Sequence, residues 1–268
     1  MSDSAWVDPE LYELENADDP NFDLPFWRGL VQEQRPRRML ELACGTGRLT
    51  VPMAAAGAAA RDGFELVGID SSESFLARAR AVLADEPAAV RAAVRFERGD
   101  MRDFALEGGF DLIAIPFNSL AYLYTAEDRL AALRTARRHL APGGRLAFDL
   151  LAPRLDYLAE ALHPFPPVRL DVDFELPEAG LARFMRSCVD RYVAGTQTLT
   201  STFFYEIHRT GGATERHVRD VRWHMYFPAE LELLLAAARL EPVARHGGWD
   251  GEAWDASSSR YVFVCAAT

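Results

Sequence analysis

Lysine is absent from all 268 residues, and the 29 basic side chains are arginine. With abundant alanine, this reads as the mark of a GC-rich bacterial coding sequence and carries no mechanism. Cysteine is also scarce. Cys44, Cys188 and Cys265 are too few and too widely separated for a disulfide framework or a zinc site. Acidic residues outnumber basic ones, 40 to 29, for a net charge of -11. A surface that tracks phosphates, and with it a nucleic-acid partner, is therefore not expected. No apolar run approaches a membrane span, and Met1–Glu10 has neither a basic start nor an apolar signal core. The default expectation is a reducing cytoplasm and no membrane. No internal repeat or low-complexity linker is visible. The 49% apolar and 26% charged shares are ordinary for a globular chain. The length fits one large domain, or a domain carrying an insertion.

The chain is organised around Arg38–Thr50, Arg-Met-Leu-Glu-Leu-Ala-Cys-Gly-Thr-Gly-Arg-Leu-Thr. Met39, Leu40, Leu42 and Ala43 form an apolar run too short for a helix, which predicts a strand buried on both faces. Gly45 and Gly47 follow, then an Ala-rich helix. Strand, glycine turn and helix open a nucleotide-binding α/β fold, where a ligand approaches the backbone beside the helix N-terminus. A dinucleotide fingerprint needs a third glycine, and that place is taken by Thr50. Glu41-x-Ala43-x-Gly45-x-Gly47 instead resembles motif I of the class I S-adenosylmethionine (SAM) methyltransferases. A carboxylate there suits a cofactor with an ammonium and a sulfonium and no phosphate.

From Arg38 to Leu151 strands and helices alternate, which predicts a parallel sheet covered on both faces. Strands are expected near Glu65–Asp70, Val94–Arg98, Phe110–Pro116 and Arg145–Leu151. A helix over Thr125–Leu140 should end at Ala141-Pro-Gly-Gly144. Residues 168–227 hold four alternating runs with compact turns, an inserted antiparallel sheet. A helix over Ala229–Arg239 and a hairpin of Pro242–His246 with Arg260–Ala266 complete a seven-stranded, Rossmann-like α/β sheet. The expected organisation is an N-terminal segment 1–36, a cofactor domain of 37–167 with 228–268, and the insertion 168–227. The first segment carries Trp6, Tyr12, Phe26 and Trp27 and contains Pro20. It serves either as a lid or as a packing arm, with Asp23 capping a helix from Pro25.

Asp70 ends the second strand, where an acid can accept from ribose hydroxyls or simply cap the next helix. The segment Gly99-Asp-Met-Arg-Asp-Phe104 resembles the methyltransferase segment that meets the adenine. The resemblance gives Asp100 and Met101 to that ring, with Asp103 capping a short helix. Pro116-Phe-Asn-Ser-Leu-Ala-Tyr-Leu123 follows the fourth strand, at the carboxyl edge where ligands sit. It lacks the Asn/Asp-Pro-Pro-aromatic segment of enzymes acting on base exocyclic amines. Paired glutamates of protein-arginine enzymes and the metal-ligand acids of catechol enzymes are likewise absent. The loop, His139–Gly144 and Arg216–Arg222 resemble the sugar-amine N-methyltransferases.

The resemblance implies SAM as cofactor, S-adenosylhomocysteine (SAH) as product and no metal. Candidate cofactor residues are Glu41, Ala43, Gly45, Thr46, Gly47 and Arg48, then Asp70, Ser71, Asp100 and Met101. Pro116, Phe117 and Asn118 join them from the fourth loop, and Tyr12 and Trp27 from the N-terminal segment. An amine acceptor must arrive unprotonated, whereas an alcohol needs a base. In the last inserted strand Asp220, Arg222, His224 and Tyr226 alternate onto one face, either solvated or turned to the site. The candidate catalytic residues are His224, Tyr226, Asn118 and Tyr122. The opposite, apolar face needs cover from the main domain or from a second copy in a homodimer. The expected function is methyl transfer to a small-molecule acceptor, foremost at an amine nitrogen. O-methylation, a macromolecular acceptor, an NAD-dependent dehydrogenase and a non-catalytic SAM-binding protein are the alternatives.

Overall fold

The structure is a computed structural model that describes residues 8–17, 22–177, 180–255 and 257–268. Trp6 and Pro20 lie outside the described residues. In chain order the elements are α1 (Pro9–Glu15), α2 (Leu24–Gln34), β1 (Arg38–Leu42), α3 (Thr50–Ala60), β2 (Glu65–Asp70), α4 (Glu73–Ala84) and α5 (Ala88–Ala93). Then come β3 (Val94–Arg98), β4 (Phe110–Ile115), a 3₁₀ turn (Ser119–Tyr122), α6 (Ala126–Arg138), β5 (Leu140–Leu151) and α7 (Leu155–Ala161). The chain ends with β6 (Arg169–Leu176), β7 (Leu181–Val193), β8 (Thr198–Arg209), β9 (Thr214–His224), α8 (Pro228–Ala237), β10 (Leu240–His246) and β11 (Arg260–Ala267). Among the described residues no helix is long and apolar enough to cross a membrane.

These elements form two compact units. The larger contains α2 to β5 and α8 to β11 around a sheet of order β10-β11-β5-β4-β1-β2-β3. Among the described strands, β11 is the one antiparallel to both of its neighbours, β10 and β5. Met39, Leu112, Ala114 and Ala147 from adjacent strands are fully buried, as near-continuous apolar runs in a two-sided parallel sheet require. Strand order reverses between β1 and β4. The carboxyl ends of those two strands therefore flank the crevice where such sheets bind ligands.

Two local expectations are corrected. Ala141–Gly144 does not end α6, which stops at Arg138 with His139 as its cap. The segment instead belongs to β5, whose pairing slips from Phe110↔Leu140 to Leu112↔Arg145, so the extra residues bulge out of the ladder. Asp23 precedes α2 but makes no side-chain cap bond, because its carboxylate is taken by Arg48. By contrast, Asp8 caps α1 and Thr125 caps α6 through the Asp128 amide.

The smaller unit contains α1, α7 and the antiparallel sheet β6-β7-β8-β9. Its second stretch begins at Pro153, just ahead of α7 and well ahead of residue 168. The described N-terminal helices divide, α1 with this unit and α2 with the larger. One sheet face buries Asp190, which accepts from Ser201, Arg169 and Tyr157, the last at 2.8 Å. Glu15 of α1 pairs with Arg186 at 3.2 Å, and burial pushes its carboxyl up to about 7.

Candidate active site

β1 ends at Leu42, and the chain then turns back on itself through alternate left-handed residues: Ala43 (φ 58°), Gly45 (φ 56°) and Gly47 (φ 80°). The Cys44 amide donates to the Ile69 carbonyl at 3.0 Å, pinning the loop to β2. Gly47 has a packing reason as well. A β carbon there would stand 3.3 Å from the Ala79 side chain of α4. Ala43 holds its left-handed form despite its methyl group, at a cost of about 1–2 kcal/mol.

Glu41 is only 2% exposed, and its carboxyl accepts from the Thr50 hydroxyl at 2.5 Å. Burial pushes that carboxyl up to about 8, against the opposing pull of the Thr50 bond and the Arg48 charge. A cation bound beside it would restore its ionised form. Asp70 uses both oxygens on backbone, accepting from Gly45 at 2.9 Å and from Ser72 at 2.8 Å. Burial raises its carboxyl and those amides oppose the rise. Each oxygen keeps a second lone pair. Asp70 thus ties the glycine loop to Ser72, the residue ahead of α4, while Ser71 is exposed.

Asp100 follows β3, where Arg102 donates to it from its amide and Nε at 2.9 Å and from Nη2 at 2.6 Å. Those bonds hold its carboxyl below the usual range. Arg102 also reaches Asp128 at 2.8 Å. Asp103 caps no helix, since residues 101–103 are a turn closed by Phe104 N–H on the Asp100 carbonyl. Met101 is half-buried beside it.

The loop after β4 places Phe117 (φ 57°) and Asn118 (φ 60°) in the left-handed region in succession. For non-glycine residues such a conformation costs on the order of 1–3 kcal/mol each and needs support. Support comes from Asp149 of β5, fully buried, which accepts from the Phe117 amide at 2.5 Å and the Asn118 amide at 3.1 Å. Arg260 of β11 is its ion-pair partner. Burial pushes the Asp149 carboxyl up to about 6, with Arg260 opposing. On the other side, Arg48 lies 4.8 Å from the Phe117 ring centre and 5.8 Å from that of Phe22. Asp23 grips Arg48 at 2.6 and 2.9 Å.

A family model described as a methyltransferase domain matches residues 39–144, which hold the glycine loop, Asp70, Asp100 and the loop after β4. A cypemycin N-terminal methyltransferase from Streptomyces sp is 28% identical over 98% of both chains. The dTDP-3-amino-3,4,6-trideoxy-alpha-D-glucopyranose N,N-dimethyltransferase of Streptomyces venezuelae is 32% identical over 50% of this chain and 56% of its own. The crystal structure of a SAM-dependent methyltransferase from Clostridium acetobutylicum ATCC 824 superposes with a TM-score of 0.76 over 96% of both chains, at 18% identity. Residues 39–144 thus match a methyltransferase domain, and the chain has the fold of SAM-dependent methyltransferases. Apart from the cypemycin relative, it spans about half the length of curated relatives it matches.

The site presents a set of groups that fits SAM. Glu41 is a buried acid whose carboxyl is raised by burial, Asp70 has spare acceptor lone pairs, and Gly45 puts no side chain on the loop. Ala43, Thr46 and Pro116 stand with them at the carboxyl edge of β1 and β4. Among the described residues no group of three or more His, Cys, Asp and Glu is placed to hold a metal ion.

Other expected site residues fall elsewhere. Trp27 is fully buried in the core, with ring centres 5.3 Å from Phe26 and 6.0 Å from Trp249, so it offers no surface to a ligand. Arg48 is held by Asp23 and stacks on Phe117, so its guanidinium is a clamp between loops. The side-chain oxygen of Asn118 accepts from the Leu151 amide at 3.0 Å, which closes the loop onto β5. Tyr226 lies beyond the end of β9, and its buried hydroxyl donates to the Leu120 carbonyl at 2.9 Å. Burial drives that phenol far above its usual range. His224 is buried at the end of β9 while Asp220 and Arg222 are exposed, so the alternating polar face does not continue to it. Tyr122 is half-buried at the end of the 3₁₀ turn, and Tyr12 is half-buried on α1 in the smaller unit.

Sequence reasoning missed Asp149, Arg260 and the Asp23–Arg48 pair. One signal was present: Asp149 is the lone acid in Leu146-Ala-Phe-Asp-Leu-Leu151, a strand otherwise apolar. An acid in a strand buried on both faces needs a partner inside the protein.

Proposed function

We propose that the protein is a SAM-dependent methyltransferase that moves the methyl group of SAM to an amine nitrogen of a small molecule. SAM supplies a methyl group made electrophilic by the sulfonium. In this reading Glu41 faces the cationic amino-acid end, Asp70 the ribose hydroxyls, and Asp100 with Met101 the adenine. Pro116 and Phe117 border the methyl group. The observation that carries the assignment is the buried carboxyl of Glu41 beside the two left-handed glycines, a place for a cation and not for a phosphate. The amine acceptor is supported by the relatives, named for N-terminal and for N,N-dimethyl transfer. The Tyr226 hydroxyl is committed to a carbonyl, and an amine that arrives unprotonated needs no base. The chain's task is then to align and to exclude water, and alignment accounts for much of the rate.

The test incubates the purified protein with SAM, EDTA and separate amines: a nucleotide-linked amino sugar and a short peptide with a free N-terminus. Mass spectrometry reads the products. A mass gain at nitrogen is expected, and methylation confined to hydroxyl analogues would contradict the amine assignment.

We also propose that the smaller unit sets acceptor choice and pairs two copies of the chain. Leu170, Ser187, Phe204 and Val218 lie in one row across its four strands, and three of them are exposed apolar residues. Sedimentation of Phe204→Arg tests the pairing: a dimer that persists counts against it. A cytoplasmic setting suits the three buried free thiols.

A further inference from the structure

The loop after β4 is held in an uncommon shape by a residue outside it. Asp149 stands one strand away, on β5, and its carboxylate faces three donors. Oδ1 accepts from the Phe117 amide, and Oδ2 accepts from the Asn118 amide and from Arg260. The side chain of Asn118 returns a bond to the Leu151 amide, so strand and loop are fastened at both ends. Arg260 lies 5.0 Å from the ring centre of Trp249, which shields the pair. On the far side of the same loop, the Phe117 ring meets Arg48, the residue directly after Gly47. Asp23, the partner of Arg48, is also a charged neighbour of Asp149.

This arrangement has a consequence for the reaction. Two left-handed residues in succession fix the direction in which Phe117 leaves the backbone, and so fix its ring under Arg48. Without an acceptor for both amides, the loop would relax to an ordinary conformation and the ring would move away from the glycine loop. We propose that Asp149 is the positioning residue of this loop: ionised and paired with Arg260, it holds Phe117 and Asn118 left-handed and thereby sets the wall of the methyl-transfer site. The proposal rests on the reading that the loop after β4 borders the transferred methyl group.

Asparagine at 149 would keep the shape and one acceptor. Its amide group would then confront two donors, the Asn118 N–H and Arg260, where a carboxylate oxygen stood. Asp149→Asn should therefore release the Asn118 amide first and the Phe117 amide with it.

The experiment follows these two backbone amides by NMR in the full-length protein, without SAM or acceptor. In the wild type both are expected downfield, as amides bonded to a carboxylate, and slow to exchange. In Asp149→Asn both should move upfield and exchange roughly tenfold to a hundredfold faster, with the β4 amides unchanged. A second variant, Asp149→Asn with Arg260→Gln, removes both buried charges and keeps the test decisive if the single variant folds poorly. It should regain most of the melting temperature and still lack the two protected amides. With the amine that the wild type methylates, its kcat should stay about tenfold or more below wild type. Protected amides in either variant would overturn the proposal, and so would full turnover in the double variant. The amide signals are read without any methyl transfer, so they fail independently of the assigned reaction.

Discussion

The Thr50 hydroxyl donates to Glu41 at 2.5 Å, so the residue in the third-glycine place holds the buried acid that opens the motif. The departure from the dinucleotide fingerprint and the retained carboxylate are one feature. A third glycine would leave Glu41 without this donor.

The raised carboxyl of Glu41 makes the stability of the SAM-free protein depend on pH. A group raised from 4.5 to about 8 on folding binds more protons in the folded state between those values. Its stabilising contribution is complete below 4.5 and lost as pH rises through about 8. Glu15, raised to about 7, and Asp149, raised to about 6, act in the same sense. Melting temperature should fall as pH is raised from about 5 to 8, and Glu41→Gln should flatten that slope. A melting temperature that climbs across this window would contradict the burial argument.

Binding of SAM at pH 7 should release protons from Glu41. Calorimetry in buffers of differing ionisation enthalpy measures this, with Glu41→Gln releasing fewer. Equal proton release from both proteins would remove Glu41 from the cation's side.

Asp70→Ala should weaken SAH binding at least about tenfold, because charge-assisted hydrogen bonds are lost. The structure adds a stability effect, since Asp70 also accepts from Gly45 and Ser72. Loss of these two bonds to backbone amides should cost about 1–3 kcal/mol. Calorimetry and denaturant melts read the two effects separately, and an unchanged affinity in the folded variant would leave Asp70 as a structural tie alone.

Arg48→Met leaves Asp23 charged, fully buried and without its guanidinium, which should cost about 3–5 kcal/mol. Adding Asp23→Leu should recover most of the loss, because a buried pair replaced by apolar groups is close to neutral. A double variant no more stable than the single one would show that the pair is not the source.

Tyr226→Phe should lose about 0.5–1.5 kcal/mol, the net value of one hydrogen bond, because the Leu120 carbonyl keeps the Leu123 amide, with SAH affinity unchanged. Turnover should persist. A large fall in kcat at an unchanged melting temperature would make Tyr226 catalytic after all.

The sequence made the parallel sheet legible because each central strand is a short apolar run between glycine or acidic turns. Asp70 and the glycine loop were legible for the same reason, as local chemistry at fixed spacing. Asp149, Arg260, Asp23 and Arg48 were not, because their partners are 25 to 111 residues away. Tyr226 misled through periodicity: alternation was extended two residues past the end of β9, where the chain had already left the sheet. Trp27 misled through composition, since an aromatic residue near a site and one in a core look alike without neighbours.

The most direct measurement is the position of the transferred methyl group. Wild-type protein is incubated with methyl-labelled SAM, EDTA and the amine panel, and NMR of the product distinguishes N–CH3 from O–CH3. A labelled methyl on nitrogen, with SAH formed alongside and no loss on chelation, is the expected result. Label found only on oxygen, or transfer abolished by EDTA, would contradict a metal-free amine methyltransferase.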